Sequence, residues 1–386
     1  MAPQAVYIHI PFCTNKCHYC DFTAYVVKGQ PVDDYLSALE REMERTVEQH
    51  PPGEIRSVFI GGGTPTVLSP RQMERLCLAI RRYFPRWATD MEFTVEANPG
   101  TTEPEKLAAM REGGVNRISF GAQTFRDDLL RRIGRIHTAQ DVFRSVEQAR
   151  HAGFDNLSLD LIFGLPDQTL ADMEETLKTA LSLRPDHISA YSLKVEEGTL
   201  FHTLYQRGEL PLPPEEEEVK MYQLTRRMLG EVGLRQYEIS NFAHPGKESR
   251  HNLTYWRHEE FYGLGAGAHG YVGGVRHANV RGIREYIEKT RQGFPTEEVH
   301  HVSRAEAMEN FMIFGLRVLS GVEASEFARR FGLPLDRVFG SVLDALQQKG
   351  LLVIDGERVR LTEQGLLFGN EVFAAFLGEA ENTSED

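Results

Sequence analysis

The chain has 386 residues, of which 41% are hydrophobic and 26% are charged. These fractions are close to those of ordinary globular proteins, so a packed core is expected and wholesale disorder is excluded. The formal net charge of −13 argues against non-specific binding of nucleic acid. The sequence has no run of about 18 apolar residues, which a transmembrane helix would require. The first residues lack the basic and apolar regions of a signal peptide, so we expect a cytoplasmic protein with reduced thiols.

Three of the four cysteines lie within eight positions near the N-terminus, at Cys13, Cys17 and Cys20. Such spacing turns the chain around one centre and suits two kinds of metal site. A [4Fe–4S] cluster held by three cysteinates leaves one iron free for a ligand that is not protein. A zinc ion would instead need a fourth ligand, for which His9 and His18 are the nearby candidates.

From residue 6 to about residue 193, short β-rich segments alternate with amphipathic helical segments. The strands are predicted at residues 6–10, 57–60, 92–96, 117–120, 156–163 and 187–193. Repeated strand–helix units imply right-handed crossovers and a parallel sheet, so we expect an α/β fold, a partial (β/α)6 barrel of the TIM type. In the first helix Asp33 or Asp34 is expected to be the N-cap. Cys77 lies in an apolar helical run and is expected to be a small buried hydrophobe.

Polar residues and glycines follow these strands at their carboxyl ends, where ligand sites of such barrels lie. They are the Gly61-Gly62-Gly63-Thr64 loop, Glu96, Gln123 and Asp160. The glycines either let the backbone approach a ligand closely or simply form a tight turn. Asp160 lies in an apolar strand, and because a lone buried carboxylate is costly we expect it to have a partner.

The Cys-x3-Cys-x2-Cys motif resembles the cluster motif of radical S-adenosylmethionine (SAM) enzymes, in which SAM chelates the fourth iron and is cleaved to a 5′-deoxyadenosyl radical. Nearly the whole chain resembles one branch of that superfamily, the family of oxygen-independent coproporphyrinogen dehydrogenases and HemW heme chaperones. The resemblance implies SAM contacts at Tyr7, Tyr19, Gly62, Gly63, Thr64, Glu96, Gln123, Arg135, Asp160 and Lys194. The last four match a further SAM site of the dehydrogenases, and an ordinary polar residue at a strand end is the alternative for each.

A second motif, His-Asn-x-x-Tyr-Trp, begins at His251. It resembles the heme-associated motif of this family, which implies that His251 holds heme. A neutral imidazole is a good iron ligand, and Tyr255 and Trp256 offer flat apolar surface to a porphyrin. The alternative is a structural histidine among core aromatics. The small residues at positions 263–270 are expected to let the backbone close over the SAM pocket.

The last part of the chain has helical patterns followed by a hairpin signal with an Asp355-Gly356 turn. This order predicts a small α-rich, winged-helix-like domain. Eight basic and fourteen acidic side chains from residue 301 onward disfavour DNA binding and favour a lid or a protein-docking role. We therefore expect a radical SAM partial barrel at 1–240, a connecting region with the histidine motif at 241–300, a HemN-type C-terminal domain at 301–378 and a disordered tail at 379–386.

Phe22 stands two residues after Cys20, where the true dehydrogenases of the family carry a further cysteine. With the motif at His251, this departure favours a heme chaperone that binds a [4Fe–4S] cluster, SAM and heme and passes heme to recipient hemoproteins, such as respiratory enzymes at the membrane. The family also implies dimerisation, and a membrane recipient implies peripheral membrane association.

Two other functions stay open. The first is an oxygen-independent coproporphyrinogen III oxidase, a dehydrogenase that decarboxylates propionates by a SAM-derived radical, so the sequence leaves open whether the chain is an enzyme. The second is a zinc-stabilised regulator that uses its C-terminal module on DNA, which the net charge opposes.

Overall fold

The computed structural model of the chain describes residues 2–380. The strands are β1 (Ala5–Ile10), β2 (Phe12–Cys13), β3 (Tyr25–Val26), β4 (Ile55–Gly62), β5 (Trp87–Ala97), β6 (Arg117–Gln123), β7 (Leu157–Phe163), β8 (His187–Ser192), β9 (Arg235–Glu238), β10 (Asn241–Ala243), β11 (Phe261–Leu264), β12 (His269–Val272), β13 (Val275–Asn279), β14 (Thr296–His301), β15 (Val322–Glu323), β16 (Leu352–Asp355) and β17 (Arg358–Leu361). The helices are α1 (Val32–Gln49), α2 (Pro70–Tyr83), α3 (Pro104–Glu112), α4 (Asp127–Arg132), α5 (Ala139–His151), α6 (Leu170–Ser182), α7 (Leu200–Gln206), α8 (Glu215–Glu231), α9 (Arg250–Trp256), α10 (Ile283–Gln292), α11 (Arg304–Gly315), α12 (Ala324–Phe331), α13 (Leu335–Gln348), α14 (Glu363–Leu367) and α15 (Gly369–Ala374).

The centre of the molecule is a parallel sheet in the order β1-β4-β5-β6-β7-β8. These are the six strands that the alternating pattern predicts, and the predicted partial (β/α)6 barrel is confirmed. Apolar side chains on one face of the sheet, such as Val6, Ile8 and Ile60, are fully buried in one core with side chains of the surrounding helices. The carboxyl ends of all six strands therefore meet at one rim of the barrel.

The sheet continues beyond both edges of this parallel core. At one edge β11 pairs with β1 in parallel, and β12, β13 and β14 follow in antiparallel order. At the other edge β10 pairs with β8 in antiparallel order, and β9 pairs with β10 in antiparallel order. Residues 241–300, which we expected to be a connecting region, thus contribute strands to both edges of the barrel sheet.

Residues 235–243 form the β9–β10 hairpin, in which the Glu238 carboxylate accepts hydrogen bonds from the Ser240 N–H and the Asn241 amide and so stabilises the turn. One local prediction differs from the structure. The prediction that Asp33 or Asp34 caps α1 is wrong. Pro31 is the N-cap and makes no side-chain hydrogen bond, and both aspartates lie in the first turn, where the helix dipole favours negative charge.

The C-terminal domain has a separate core, in which the rings of Phe311, Phe327, Phe339 and Phe376 are in contact with one another. Its small sheet has the order β15-β17-β16, and the predicted hairpin is present in β16 and β17. Of the predicted tail, Ala380 is buried and its N–H donates to Glu309, so the packed domain reaches at least that residue. Residues 381–386 lie outside the described residues.

The C-terminal domain is joined to the barrel by backbone hydrogen bonds. Val318 forms an antiparallel bridge with Glu238 at the end of β9, and the Leu319 N–H donates to the Tyr237 carbonyl at 2.9 Å. This contact places the chain after α11 beside the rim of the barrel. No helix within residues 2–380 has the length and apolar character needed to cross a bilayer.

Candidate functional site

A cavity of about 1120 Å³ opens at the carboxyl ends of the parallel strands. Every site residue predicted from the sequence lines it: Tyr7, Cys13, Cys17, Tyr19, Cys20, Gly62, Gly63, Thr64, Glu96, Gln123, Arg135, Asp160, Lys194 and His251. The C-terminal domain contributes a further wall, which includes Arg317 and Phe373. The fold therefore brings together residues that are up to 244 positions apart in the chain.

The three motif cysteines are free, partly exposed and near the predicted SAM contacts. Burial raises the pKa of the Cys20 thiol to about 11 and also raises that of Cys13. Thr64 lies 3.5 Å from the Cys13 sulfur, and the Arg135 guanidinium donates to the Cys17 sulfur at 3.6 Å. Thiolates there need compensating positive charge, which the iron atoms of a bound cluster would supply together with Arg135.

A [4Fe–4S] cluster and a single zinc ion require different arrangements of these side chains. Among the described residues, no three His, Cys, Asp or Glu side chains are close enough to share one ion. A cubane binds each thiolate to a different iron, so its cysteines surround a cluster rather than a single ion. His9 has both ring nitrogens in hydrogen-bond contact, with the Tyr7 hydroxyl at 2.9 Å and the Thr23 carbonyl at 2.8 Å. The cysteines therefore fit a three-cysteinate cluster. Of the two candidate zinc ligands, His9 is engaged elsewhere, and His18 has its Nδ1 2.9 Å from the Arg132 carbonyl.

The glycine loop is needed because the cluster loop packs directly on it. A Cβ atom at Gly63 would lie 2.5 Å from the Phe12 carbonyl oxygen and 3.0 Å from the Cys13 sulfur. Gly62 has a φ of +107°, and a Cβ atom there would meet the ring of His9 at 2.6 Å. The sequence predicted close approach at this loop, and the structure shows that the approaching group includes the protein's own backbone.

Glu96 and Asp160 are two carboxyls at the floor of the cavity. Burial, followed by the nearby Asp160, raises the pKa of Glu96 to about 8, although the Gly62 N–H donates to its carboxylate at 3.2 Å. Asp160 has the partner that its apolar strand requires, because the Ser119 hydroxyl donates to it at 3.0 Å. Burial still raises the pKa of Asp160.

Arg117 is a site residue that our sequence reasoning missed. Its side chain is 2% exposed, lines the cavity and lowers the pKa of both floor carboxyls. The sequence carried a signal for it, since a single arginine precedes the apolar strand residues Ile118 and Phe120 and a buried charge in a strand is costly.

Arg135 and Gln123 meet at one wall of the cavity. The Arg135 guanidinium donates to the Asn98 side chain at 2.7 Å and to the Gly121 carbonyl at 2.6 Å. Gln123 adopts a φ of +65°, a left-handed conformation that costs energy in a non-glycine residue and aims its amide toward Gly121. Asn98, also missed, donates to the Thr64 hydroxyl at 2.9 Å and so links this wall to the glycine loop.

The remaining predicted contacts lie at different depths. Burial raises the pKa of Tyr7 and of Tyr19 above the usual range, so both phenols stay neutral. Lys194 is exposed at the rim, two residues after the end of β8. Among the glycines at positions 263–270, Gly263 lets two strands approach closely, because a Cβ atom there would collide with the backbone of His269 in the neighbouring strand.

His251 lies on α9 beneath the cavity and is 1% exposed. Its Nδ1 is 3.0 Å from the Ser57 hydroxyl and its Nε2 is 2.7 Å from the Tyr255 hydroxyl. Burial, followed by the charge of Arg117, lowers the pKa of the imidazole to about 3, so the ring is neutral. Iron ligation through Nε2 therefore requires Tyr255 to release the ring.

The two aromatic residues of the motif are also engaged. Tyr255 packs edge-on against Phe261, with ring centroids 4.7 Å apart. The Arg317 guanidinium covers the ring of Trp256 at 4.2 Å. One face of Trp256 is thus occupied by a cation from the C-terminal domain, which the sequence alone did not indicate.

A partial barrel with this cysteine motif is the architecture of the radical SAM superfamily, whose model matches residues 7–180. The model of the HemN C-terminal domain matches residues 302–368. Among curated proteins, the chain is 51% identical to the heme chaperone HemW of Bacillus subtilis over 97% of this chain and 100% of that protein. It is 36% identical to the heme chaperone HemW of Escherichia coli over 98% and 99% of the two chains. The chain therefore belongs to the HemW family of radical SAM proteins.

A solved structure agrees with this assignment of fold. The coproporphyrinogen III oxidase HemN of Escherichia coli, described as a radical SAM enzyme, matches with a TM-score of 0.85. The match has 26% identity and covers 97% of this chain and 90% of the other. The barrel and the C-terminal domain are thus shared between a chaperone family and an enzyme.

Proposed function

We propose that this protein is a heme chaperone that binds a [4Fe–4S] cluster, SAM and heme and passes the heme to recipient hemoproteins. The observation that carries the proposal is that the cluster motif at Cys13 and the heme-associated motif at His251 line one cavity. Full-length similarity to proteins named as HemW heme chaperones supports it. Phe22, in place of the further cysteine of the dehydrogenases, also supports it.

Different residues of the cavity are proposed to bind the cluster and SAM. Cys13, Cys17 and Cys20 are proposed to hold the cluster, with Arg135 donating to a cysteine sulfur. The predicted SAM contacts would hold the amino, carboxylate and adenosyl groups of SAM, and Glu96 at the floor accepts hydrogen bonds. When bound, the cluster and SAM supply one-electron cleavage of the sulfonium C–S bond. The contribution of the chain is to bind, orient and shield these groups.

Heme would enter the same cavity from the side of α9. His251 is proposed as the iron ligand, after its Nε2 exchanges the Tyr255 hydroxyl for iron. The low pKa of the imidazole supports this role, because a ligand must be neutral. Exchange of a 2.7 Å hydrogen bond for a metal bond also predicts that heme binding moves the Tyr255 side chain.

The recipients are proposed to be respiratory enzymes, reached in the cytoplasm by peripheral contact with the membrane. Dimerisation on cluster binding, implied by the family, belongs to the same proposal. Mixing heme-loaded protein with an apo-hemoprotein and following the shift of the Soret band tests the transfer step. No transfer from a stoichiometrically loaded protein would refute it.

The second candidate is an oxygen-independent coproporphyrinogen III oxidase. The shared fold with an enzyme of that name favours it. Anaerobic incubation of the reconstituted protein with coproporphyrinogen III, SAM, a one-electron reductant for the cluster and an electron acceptor for the substrate separates the two functions. Protoporphyrinogen among the products would favour the oxidase, and its absence beside stoichiometric heme binding would favour the chaperone.

A further inference from the structure

The buried polar atoms without partners are concentrated around one cavity. Eleven buried side-chain nitrogen or oxygen atoms of the described residues have no hydrogen-bond partner. Five of them belong to residues that line the cavity described above: Arg117, Glu238, Asn241, Trp256 and Arg317. The unpaired atoms of Arg117, Trp256 and Arg317 are N–H donors. Native proteins leave few such groups unpaired, so three unpaired donors around one cavity call for an acceptor group on a ligand.

Four of these five residues are neighbours at the junction of barrel and C-terminal domain. The bridge between Val318 and Glu238 brings Arg317 to the end of β9. Arg317 stacks on Trp256 at 4.2 Å, and its Nη2 reaches the Glu238 carboxylate only at 3.7 Å, which is longer than a hydrogen bond. Its side chain is 26% exposed, so the guanidinium is fixed in direction but accessible from the cavity.

Glu238 forms an ion pair with Arg317 at 3.7 Å but accepts no hydrogen bond from it. Its Oε1 accepts from the Ser240 N–H at 2.9 Å and from the Asn241 amide at 2.6 Å. The carboxylate is therefore stabilised by its own turn, and it contacts Arg317 at one edge. A planar guanidinium has five N–H donors in a fork that matches a carboxylate, so several donors stay available for a ligand.

The residues around Arg317 indicate what kind of ligand would bring a carboxylate to this guanidinium. Apolar side chains of the C-terminal domain, Leu366, Leu367 and Phe373, line the cavity beside Arg317. Along α9, Trp256 lies five residues after His251, which corresponds to about 7.5 Å of helix. The site thus offers an apolar wall with a cation at its edge, at a distance from the histidine that a macrocycle spans.

We infer that Arg317, supported by Trp256 and Glu238, binds a propionate carboxylate of the tetrapyrrole held in this cavity. The inference rests on the proposed function for the identity of the ligand and adds the group that orients it. The C-terminal domain then binds the propionate edge of the tetrapyrrole through Arg317, and the barrel binds its central metal.

The test compares ligands with and without free propionates. Purified full-length protein is titrated with hemin, with hemin dimethyl ester and with coproporphyrin III, as wild type, Arg317→Gln and Arg317→Lys. The control is Arg226→Gln, since Arg226 also joins the barrel to the C-terminal domain, through Glu363, but does not line the cavity. Circular dichroism and melting temperature check that each variant is folded.

We expect the wild type and Arg226→Gln to prefer hemin over its ester by roughly tenfold or more, as for a charge-assisted pair. Arg317→Gln should lose that preference without weaker binding of the ester, and Arg317→Lys should keep part of it. An unchanged preference in Arg317→Gln overturns the inference and leaves heme binding in place. Arg317-dependent binding of coproporphyrin without hemin binding refutes the chaperone proposal and leaves the inference standing. Binding of no tetrapyrrole at all overturns both.

Discussion

Replacing His251 with alanine should destabilise the protein even in the absence of heme. The imidazole is 1% exposed and contacts the hydroxyls of Ser57 and Tyr255. Truncation leaves both hydroxyls without this partner, at about 1 kcal/mol each, and removes packing against Phe59, worth about another 1 kcal/mol. The expected loss is about 3 kcal/mol of unfolding free energy.

The assay is thermal unfolding of cluster-free, heme-free protein followed by circular dichroism. A loss of about 3 kcal/mol lowers the melting temperature of the barrel transition by roughly 5–10 °C. His251→Gln is the matched variant, because its amide retains hydrogen-bonding groups in a similar volume, and it should lose less. If His251→Ala melts within a degree of wild type, the imidazole is not the buried, hydrogen-bonded group described here. The melting temperatures also show whether His251→Ala or His251→Gln keeps its fold well enough to be used as a test of heme ligation.

Three further predictions concern other parts of the chain. The loss of unfolding free energy in His251→Gln relative to wild type should become smaller as the pH falls from about 6.5 toward 4. The folded pKa of the imidazole is about 3, so only the wild type loses stability in this range, by about 1.4 kcal/mol per pH unit. A difference between the two proteins that stays constant in melts at several pH values would contradict this. Gly63→Ala should prevent cluster assembly, since the added Cβ atom meets the Phe12 carbonyl at 2.5 Å; normal iron and sulfide content after anaerobic reconstitution would refute it. Gly340→Ala should instead raise the stability of the C-terminal domain by about 0.5–1 kcal/mol in urea unfolding, because nothing lies within 4 Å of its added Cβ atom in α13; a loss of stability would contradict that reasoning.

The parallel core of the fold was predictable because its signal is local. Each strand of the barrel is a short apolar run followed by an amphipathic helix, and the polar residues that end those runs, such as Glu96 and Asp160, meet at one rim as parallel topology requires. The edge strands were not predictable. β11 has four residues, and its pairing partner β1 lies about 250 positions earlier, so no periodicity within the segment reveals the pairing.

The same limit explains why part of the site was not predicted from the sequence. Residue types and their positions along the strands placed the predicted contacts around one cavity, but contacts across domains leave no trace in local sequence. Arg317 follows an apolar helix and reads as an ordinary surface arginine, although it covers Trp256. Asn98 and Arg117 stood beside motif residues and gave a weaker signal, because an amide or a cation at a strand end has several ordinary roles.

The most direct test of the account is a heme titration of the full-length protein after anaerobic reconstitution with iron and sulfide, with coproporphyrinogen III turnover measured on the same preparation. The account predicts saturable binding of one heme per chain, weakened in His251→Gln at unchanged cluster content, and no formation of protoporphyrinogen. Conversion of coproporphyrinogen III without saturable heme binding would contradict it and would make the protein an oxidase despite Phe22.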